Sequence, residues 1–437
     1  MSVTGSQPIS GSTVRDSLES SHRPKRPRIA CFGYAERSSG SVSGAGFLIL
    51  KGLLERGYEI DFFGYPGFAF PDEISYFPNL CLIDLRRPRK LGLIDKLNKL
   101  ENRVLRTLIG VLLRPSHRRE VMHAMRQRHR TRHYDLELFL GTWAFGRMKN
   151  VPVISWVQGA PGSDCRSVHR HADQIIQFCG RREFVKLKLY SSYRQTVGLP
   201  PFKNSDFVIV GSKMSAEILV THNIERSRIF SLPYPLDLDQ FAPADSALPD
   251  SESNSPPLIL WLGRIVPRKR LDLFLGACEQ LLDEGIRIRV EVFGGFPFAA
   301  GYKRLLHEFR YPAALQYSAG MPRSEVPGKL QCTAVVVQPS EEEDFGSTVA
   351  EALACGVSVV IGPTNGTRDY VGQSAEVFER YEIESVAAAL KRALSRVALS
   401  KAACAADARS AAQTHFALPH ILDSLEGIFA SVCFGQK

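Results

Sequence analysis

The segment 333–362 constrains the fold most strongly, because it reads as a complete strand–loop–helix–strand unit. An apolar, β-branched run at 334–337 predicts a buried parallel strand. An acidic loop follows, then an Ala/Leu-rich helix that ends at Gly356, and then a second apolar strand at 357–361. In an α/β sheet of this kind, functional residues lie at the carboxyl end of the first strand.

Two carboxylates of this unit are spaced to cooperate. Glu343 lies in the loop just before the helix, and Glu351 lies on the helix about two turns further along. Carboxylates accept hydrogen bonds from vicinal sugar hydroxyls, and the free N–H groups of a helix start suit a phosphate. The pair therefore fits a nucleoside-diphosphate sugar, although acids here can also merely solubilise a loop and favour a helix N-terminus. The helix-start residues are Phe345, Gly346, Ser347 and Thr348.

The sequence PSEEEDFGSTVAEALACGVSVV (339–360) resembles the Glu-x7-Glu signature of the retaining glycosyltransferases of family 4, which have the GT-B fold. Glu343 and Glu351 fall on its two glutamates. The resemblance implies that Glu343 lies by the donor sugar and that Glu351 binds the ribose of the nucleotide. It also implies retention at the anomeric carbon and no metal requirement.

A second resemblance concerns WLGRIVPRKRLDLFLGA (261–277), which is similar to the family's Gly-Arg…Lys element. Arg264 and Lys269 fall on its two basic positions. Two cations opposite a helix N-terminus would hold a diphosphate and neutralise the charge that develops when it leaves. Arg268 and Arg270 flank Lys269, so the side chain that reaches the phosphate is left open. No residue stands out as a general base, which fits front-face retention with the leaving phosphate as proton acceptor.

The first half of the chain resembles the family in architecture alone. A Gly/Ser-rich segment at 38–46 follows the first predicted strand, and we expect it to be a loop before a helix at 47–56. Gly44 and Gly46 then either face the cleft as donor-binding residues, as in the GT-B fold, or only permit a tight turn. Ile49 stands where a dinucleotide fingerprint needs its third glycine, which argues against a Rossmann cofactor site.

Gln158 ends the strand predicted at 151–158, where the resembled family commonly has a histidine. Glutamine can hydrogen-bond a sugar hydroxyl of the donor, but it does not titrate as imidazole does. His169 and His171 are near in sequence, and we expect them to be surface residues rather than catalysts.

The segment 86–133 is crowded with Arg and Lys, in a chain whose formal net charge is +10. An apolar stripe at helical spacing predicts an amphipathic helix over 97–112. Such a helix either packs its stripe on the domain or contacts an anionic membrane, and the absence of interleaved aromatic residues argues against nucleic acid. The basic flanks of the stripe are Lys96, Lys99, Arg103 and Arg106.

The length of 437 residues predicts two domains. No apolar run approaches the length that spans a bilayer, and nine cysteines without CxxC spacing are expected to be reduced thiols. These features, with a Ser-rich start that lacks a signal-peptide core, favour the cytoplasm. The expected divisions are a disordered tail (1–27), an acceptor domain (28–241), a linker (242–257), a nucleotide-sugar-binding domain (258–418) and a helix crossing back to the first domain (419–437).

Together these features predict an α/β GT-B protein in which two Rossmann-like doubly wound domains face an interdomain cleft. We expect a cytoplasmic glycosyltransferase that moves a sugar from a nucleotide-sugar donor to a hydroxyl of a glycan or a lipid-linked acceptor. The alternative is a non-catalytic GT-B-like protein that uses its basic segment on membrane or nucleic acid. Gln158 in place of histidine is the best support for that alternative, and the intact acid and Arg/Lys pairs count against it.

Overall fold

The chain folds into two α/β domains, each built on one parallel sheet. The computed structural model describes residues 26–36, 41–64, 72–85, 103–157, 159, 161–198, 204–244, 255–297 and 300–435. None of the helices in these ranges is long and apolar enough to cross a membrane.

The first sheet has seven described strands, all parallel, in the order β3-β2-β1-β4-β5-β6-β7. Buried, near-continuous apolar runs form these strands, as expected for parallel strands that helices cover on both faces. The strands are β1 (Ile29–Gly33), β2 (Ile60–Gly64), β3 (Leu80–Asp84), β4 (Leu136–Leu140), β5 (Val153–Trp156), β6 (Phe207–Val210) and β7 (Ile229–Ser231).

The second sheet has six described strands, also parallel, in the order β10-β9-β8-β11-β12-β13. The strands predicted at 334–337 and 357–361 are confirmed as neighbours within it. The six strands are β8 (Leu258–Leu262), β9 (Arg289–Phe293), β10 (Leu315–Ser318), β11 (Val335–Gln338), β12 (Ser358–Ile361) and β13 (Ala375–Val377).

Helices connect the strands and cover both sheets. In the first domain they are α1 (Ser41–Glu55), α2 (Asp72–Ser75), α3 (Arg103–Arg132), α4 (Ser163–Arg170), α5 (Ala172–Cys179), α6 (Arg181–Gly198) and α7 (Lys213–Thr221). In the second domain they are α8 (Leu271–Asp283), α9 (Lys303–His307), α10 (Val326–Gln331), α11 (Ser347–Ala354), α12 (Arg368–Val371), α13 (Ile383–Leu399) and α14 (Lys401–Phe416), and α15 (Leu418–Phe434) follows.

Each sheet has a point where the strand order reverses. The chain moves outward from β1 to β2 and β3, and then returns to β4 on the other side of β1. In the second sheet, β9 and β10 lie on one side of β8 and β11 lies on the other. A reversal of this kind leaves a crevice outside the carboxyl ends of the two central strands, which is where open α/β sheets bind ligands.

The prediction of a loop over 38–46 is wrong for residues 41–46, the part of this segment that the structure describes. Helix α1 already begins at Ser41 and contains both Gly44 and Gly46. Close packing explains the glycine at 46. A Cβ atom on Gly46 would lie 2.0 Å from the backbone oxygen of Tyr34, just after β1. Gly46 therefore reflects the close approach of α1 to the preceding backbone, rather than a loop.

The basic segment is partly helical, and part of its charge is used inside the first domain. Residues 86–102 lie outside the described residues, and the backbone of 103–112 belongs to α3. Further along α3, Arg128 and Arg132 reach the fully buried carboxylate of Asp61, at 3.1 and 3.4 Å. At least these two cations therefore stabilise the domain and are not free to attract a partner.

The last helix, α15, packs against α1 of the first domain. Arg56 lies at the end of α1 and forms 2.7 Å ion pairs with Asp423 and with Glu426 of α15. The Tyr58 and Phe429 rings meet edge to face, with centroids 6.0 Å apart. The end of the chain therefore contributes to the core of the domain in which the chain begins.

Truncating a core side chain of α15 should therefore destabilise the whole protein. Leu425 is fully buried in a cluster that also contains Leu50 and Phe416. We expect Leu425→Ala to lower the free energy of unfolding by about 2–5 kcal/mol. The control is Leu399→Ala at the end of α13, where the side chain is 87% exposed; it should change this free energy by less than about 0.5 kcal/mol. Urea unfolding followed by circular dichroism compares them, and equal midpoints would contradict this packing.

Candidate active site

A cleft of about 460 Å³ lies between the two domains, and residues of both domains line it. Thr142, Trp143 and Asp164 contribute from the first domain, following β4 and β5. Arg264, Arg268 and Glu343 contribute from the second domain, following β8 and β11. The cleft thus lies at the carboxyl ends of the strands that flank both reversal points.

Glu343 lies at the centre of the charges in this cleft. Its Oε2 accepts hydrogen bonds from Arg268 Nη1, at 2.8 Å, and from Lys269 Nζ. Burial alone would raise the pKa of Glu343, but the charges of Arg268 and Lys269 outweigh it and hold this pKa well below its ordinary value. Glu343 is therefore an ionised acceptor at neutral pH.

The three basic side chains after β8 that could meet a phosphate differ in their environments. Arg264 is exposed and lines the cleft, whereas Lys269 is nearly buried against Glu343. Burial lowers the pKa of Lys269, and the Glu343 carboxylate opposes that shift. Arg268 also lines the cleft and bridges Glu343 to Asp164, whose Oδ1 accepts from Arg268 Nε at 3.0 Å.

Arg270 is directed away from this cluster. It donates hydrogen bonds to Asp272 and, at 2.7 Å, to the buried Glu341. Of the two residues that flank Lys269, Arg268 is therefore the one that shares the cleft with Arg264. Arg268 lies in a 3-10 turn and Arg270 lies directly after it in a left-handed conformation, so their side chains leave the backbone in different directions. Residue type alone does not tell which of the two directions faces the cleft.

Glu351 lies on α11 and faces a second, smaller cavity of about 40 Å³. Its side chain is 2% exposed and accepts a 2.7 Å hydrogen bond from Arg323. Burial raises the pKa of Glu351, while the guanidinium of Arg323 opposes this. Arg323 also lies 4.7 Å from the centroid of the Phe241 ring. Sequence reasoning missed Arg323, because a lone Arg in the loop after a strand carries no distinctive signal.

The four predicted helix-start residues have different surroundings. The Phe345 ring is 1% exposed and packs against Tyr234 and Phe416, so its side chain is a core residue between the domains. Gly346 has φ +79, and a Cβ there would lie 2.7 Å from Thr367 Oγ1. Ser347 and Thr348 are partly exposed at the start of α11.

Of the first-domain candidates Gly44, Gly46 and Gln158, the structure places only Gly44 at a cavity of the candidate site. Gly44 and Ser347 line the smaller cavity together with Glu351. Gly46 instead packs against the backbone of Tyr34, as described above. Gln158 lies outside the described residues, and its neighbour Gly159 lines the larger cleft.

A set of interdomain ion pairs surrounds Glu343, and sequence reasoning missed it. Arg170 of α4 donates to Glu341 at 2.6 Å, and His171 Nε2 lies 3.0 Å from the same carboxylate. Burial opposes ionisation of Glu341, but the bonds from His171 and Arg170 lower its pKa to about 2. The expectation that His171 is a surface residue is wrong, because its side chain is only 12% exposed.

Asp344 forms a second interdomain contact directly after Glu343. Its carboxylate accepts from the Gly211 N–H at 3.3 Å and from the hydroxyl of Tyr234. Burial raises the pKa of Asp344, and its hydrogen-bond donors oppose this. Nearby, the N–H of Lys213 donates to Asp369 at 2.8 Å. In the parts of the chain that the structure describes, no group of three His, Cys, Asp or Glu side chains is placed to hold a metal ion.

This geometry, with two Rossmann-like domains facing a cleft, defines a GT-B protein, which confirms the predicted fold class. Residues 248–409, which include most of the second domain, match the family described as glycosyl transferases group 1. Sucrose-phosphate synthase from Thermosynechococcus elongatus has the same fold, with a TM-score of 0.65 and 18% identity over 93% of this chain and 99% of that one. Anabaena HepE, solved with UDP and glucose, has a TM-score of 0.57 and 13% identity over 93% of this chain and 100% of that one.

Curated relatives are similar in sequence over part of their length. The D-inositol 3-phosphate glycosyltransferase of Mycolicibacterium smegmatis is 30% identical over 239 residues, which cover 51% of this chain and 52% of that protein. The GDP-mannose-dependent alpha-(1-6)-phosphatidylinositol monomannoside mannosyltransferase of the same species is 26% identical over 172 residues, or 36% of this chain and 45% of that protein. The matches thus span about half the length of these relatives.

Proposed function

We propose that the protein is a retaining glycosyltransferase that moves a sugar from a nucleotide-sugar donor to a hydroxyl of an acceptor bound in the interdomain cleft. The observation that carries this proposal is the cluster of Glu343 with Arg268 and Lys269 at the edge of that cleft. It joins an ionised acid, suited to sugar hydroxyls, to cations suited to a diphosphate, on a domain that matches the glycosyl transferases group 1 family.

Each side chain then has a distinct role. Arg264 and Lys269 bind the diphosphate and stabilise its charge as the bond to the sugar breaks. Glu343, held ionised, accepts hydrogen bonds from hydroxyls of the transferred sugar. Glu351 accepts the ribose hydroxyls beside Arg323. The start of α11, from Phe345 to Thr348, offers backbone N–H groups to a phosphate, and the cations replace a metal ion in this proposal.

The similar proteins differ in donor nucleotide, and their names support a chemical class of acceptor. One relative is named as GDP-mannose-dependent, and Anabaena HepE was solved with UDP, so these proteins differ in nucleotide. The names of the relatives include an inositol phosphate and a phosphatidylinositol mannoside. These names support a hydroxyl acceptor on a glycan or a lipid-linked molecule. The non-catalytic alternative is not favoured, because the second domain matches a glycosyltransferase family and brings Glu343 and its cations together.

Donor binding should depend on Lys269 and Glu351. A screen of nucleotide sugars for hydrolysis and thermal stabilisation identifies the donor, because a ligand of the folded state raises its melting temperature. With that donor, we expect Lys269→Ala and Glu351→Ala each to weaken binding by about 1.5–3 kcal/mol, since each removes a charge-assisted contact. Calorimetry measures the affinities, with Lys391→Ala at the surface ion pair to Glu284 as control. Unchanged affinity in both site variants would refute the placement of the donor.

Glu343→Gln should reduce turnover much more than it weakens binding of the bare nucleoside diphosphate. The reason is that Glu343 is proposed to contact the sugar, whereas the cations and Glu351 contact the nucleotide. Steady-state kinetics give kcat, and calorimetry with the nucleoside diphosphate gives the affinity. Parallel losses of both quantities would show that the roles of Glu343 and Glu351 are assigned wrongly.

We further propose peripheral contact of the basic segment with an anionic membrane at its inner face, which would bring a lipid-linked acceptor to the cleft. Each Lys or Arg near such a surface contributes about 1 kcal/mol. Co-sedimentation with anionic vesicles should therefore weaken with salt and fall when Lys96, Lys99, Arg103 and Arg106 become Gln. Neutral vesicles are the control. Protein that stays in the supernatant with anionic vesicles at low salt would favour a soluble acceptor instead.

A further inference from the structure

Helix α4 of the first domain forms ion pairs with the loop that carries Glu343. Arg166 Nε donates to Glu342 Oε2 at 2.8 Å, and Arg170 donates to Glu342 at 3.1 Å. Arg170 also donates to Glu341 at 2.6 Å. Two arginines of one domain thus hold the two residues that directly precede Glu343 in the other domain.

The other end of α4 reaches the opposite side of Glu343. Asp164 lies in the first turn of α4 and accepts a hydrogen bond from Arg268, which in turn donates to Glu343. The helix therefore contacts the loop through Arg166 and Arg170 and contacts the cation partner of Glu343 through Asp164. A shift of α4 relative to the second domain would disturb both sides of Glu343 at once.

The backbone of the loop is strained at Glu342, the residue whose side chain these arginines contact. Glu342 has φ 47, a left-handed conformation that is unfavourable for a residue with a Cβ atom, and it lies immediately before Glu343. The second domain holds the main chain there, since Thr364 Oγ1 accepts from the Glu342 N–H and Thr364 O accepts from the Glu343 N–H. The side chain of Glu342, only 13% exposed, is held by the first domain.

We propose that Arg166 and Arg170 are positioning residues for Glu343, which hold its loop in the shape that presents the carboxylate to the cleft while the two domains are together. This inference rests on the proposed function, in which Glu343 contacts the transferred sugar. It makes the donor site of the second domain dependent on a helix of the first, so that the site is complete only when the cleft is assembled.

If Arg166 and Arg170 only stabilise the contact between the domains, any other interdomain arginine should be equally important. A substitution of Arg304 tests this. Arg304 also joins the domains, because it donates to the Gln177 carbonyl at 3.3 Å and lies 5.8 Å from the Phe178 ring centroid. It does not contact the loop. If the ion pairs of α4 only stabilise the association of the two domains, Arg304→Gln should have the same effects as substitution of Arg166 and Arg170.

The test compares the double variant Arg166→Gln/Arg170→Gln with Arg304→Gln and the wild type. Hydrogen exchange of peptides covering 338–347 should become faster in the double variant and stay unchanged in the control. We expect kcat to fall by roughly 10- to 100-fold in the double variant, because small displacements of a reacting group cost that much. The Kd for the nucleoside diphosphate should stay within about twofold of the wild-type value, since Lys269 and Glu351 remain in place.

The outcomes separate this inference from the proposed function. Unchanged exchange in the loop, or faster exchange with wild-type kcat, would overturn the positioning role, and so would equal effects of Arg304→Gln. A wild-type protein that turns over no nucleotide sugar would refute the proposed function, while the exchange result would still decide whether the arginines hold the loop. If a thermal melt shows that the double variant is unfolded, Glu342→Gln removes the charge that both arginines contact, and the same readouts apply.

Discussion

The ion cluster of Glu343, Arg268 and Lys269 joins the loops that follow β8 and β11, and the bond from Arg268 to Asp164 connects this cluster to the first domain. All three side chains are nearly buried, between 12% and 14% exposed. Withdrawing a charge from water costs several kcal/mol, and only a close opposite charge with good geometry offsets that cost. The cluster is therefore stable only where two cations and one acid meet in a fixed arrangement. Strand order supplies that arrangement, because Arg268 follows β8 and Glu343 follows the neighbouring parallel strand β11, although they are 75 residues apart in sequence.

The three consecutive glutamates in the loop after β11 have different sets of partners. Glu341 turns to Arg270 of its own domain and to Arg170 and His171 of the first domain. The next glutamate is bound by α4, and Glu343 is bound by the cations that follow β8. Identical residue types thus perform interdomain docking and ligand binding side by side. Because each is paired with a different set of cations, with Arg170 shared by Glu341 and Glu342, the three positions are not interchangeable. Charge counting along the loop cannot reveal which one faces the cleft.

Local patterns in the sequence were sufficient for most of the fold. Apolar runs indicated the strands, and the signature around Glu343 and Glu351 indicated the sheet edge where the site lies. The contacts of Arg170 and Arg323 were not accessible in this way. Arg170 meets its partner across 171 residues of sequence and across the domain boundary, and no periodic pattern records such a pairing. Whether Arg323 meets Glu351 depends on the path of the loop after β10, which propensity does not determine.

The prediction of a loop where α1 begins was wrong because the helix start also depends on a tertiary contact that the local sequence does not reveal. Gly and Ser favour turns because they disfavour regular helix on intrinsic propensity. In α1 that intrinsic cost is accepted because a side chain at Gly46 would collide with the backbone of Tyr34. At Gly52, a Cβ would lie 2.4 Å from the side chain of Leu422 on α15. The same helix thus needs small residues on one side against the strand end and on the other against the last helix. Tertiary packing, which joins the beginning of the chain to its end, explains these glycines better than local flexibility does.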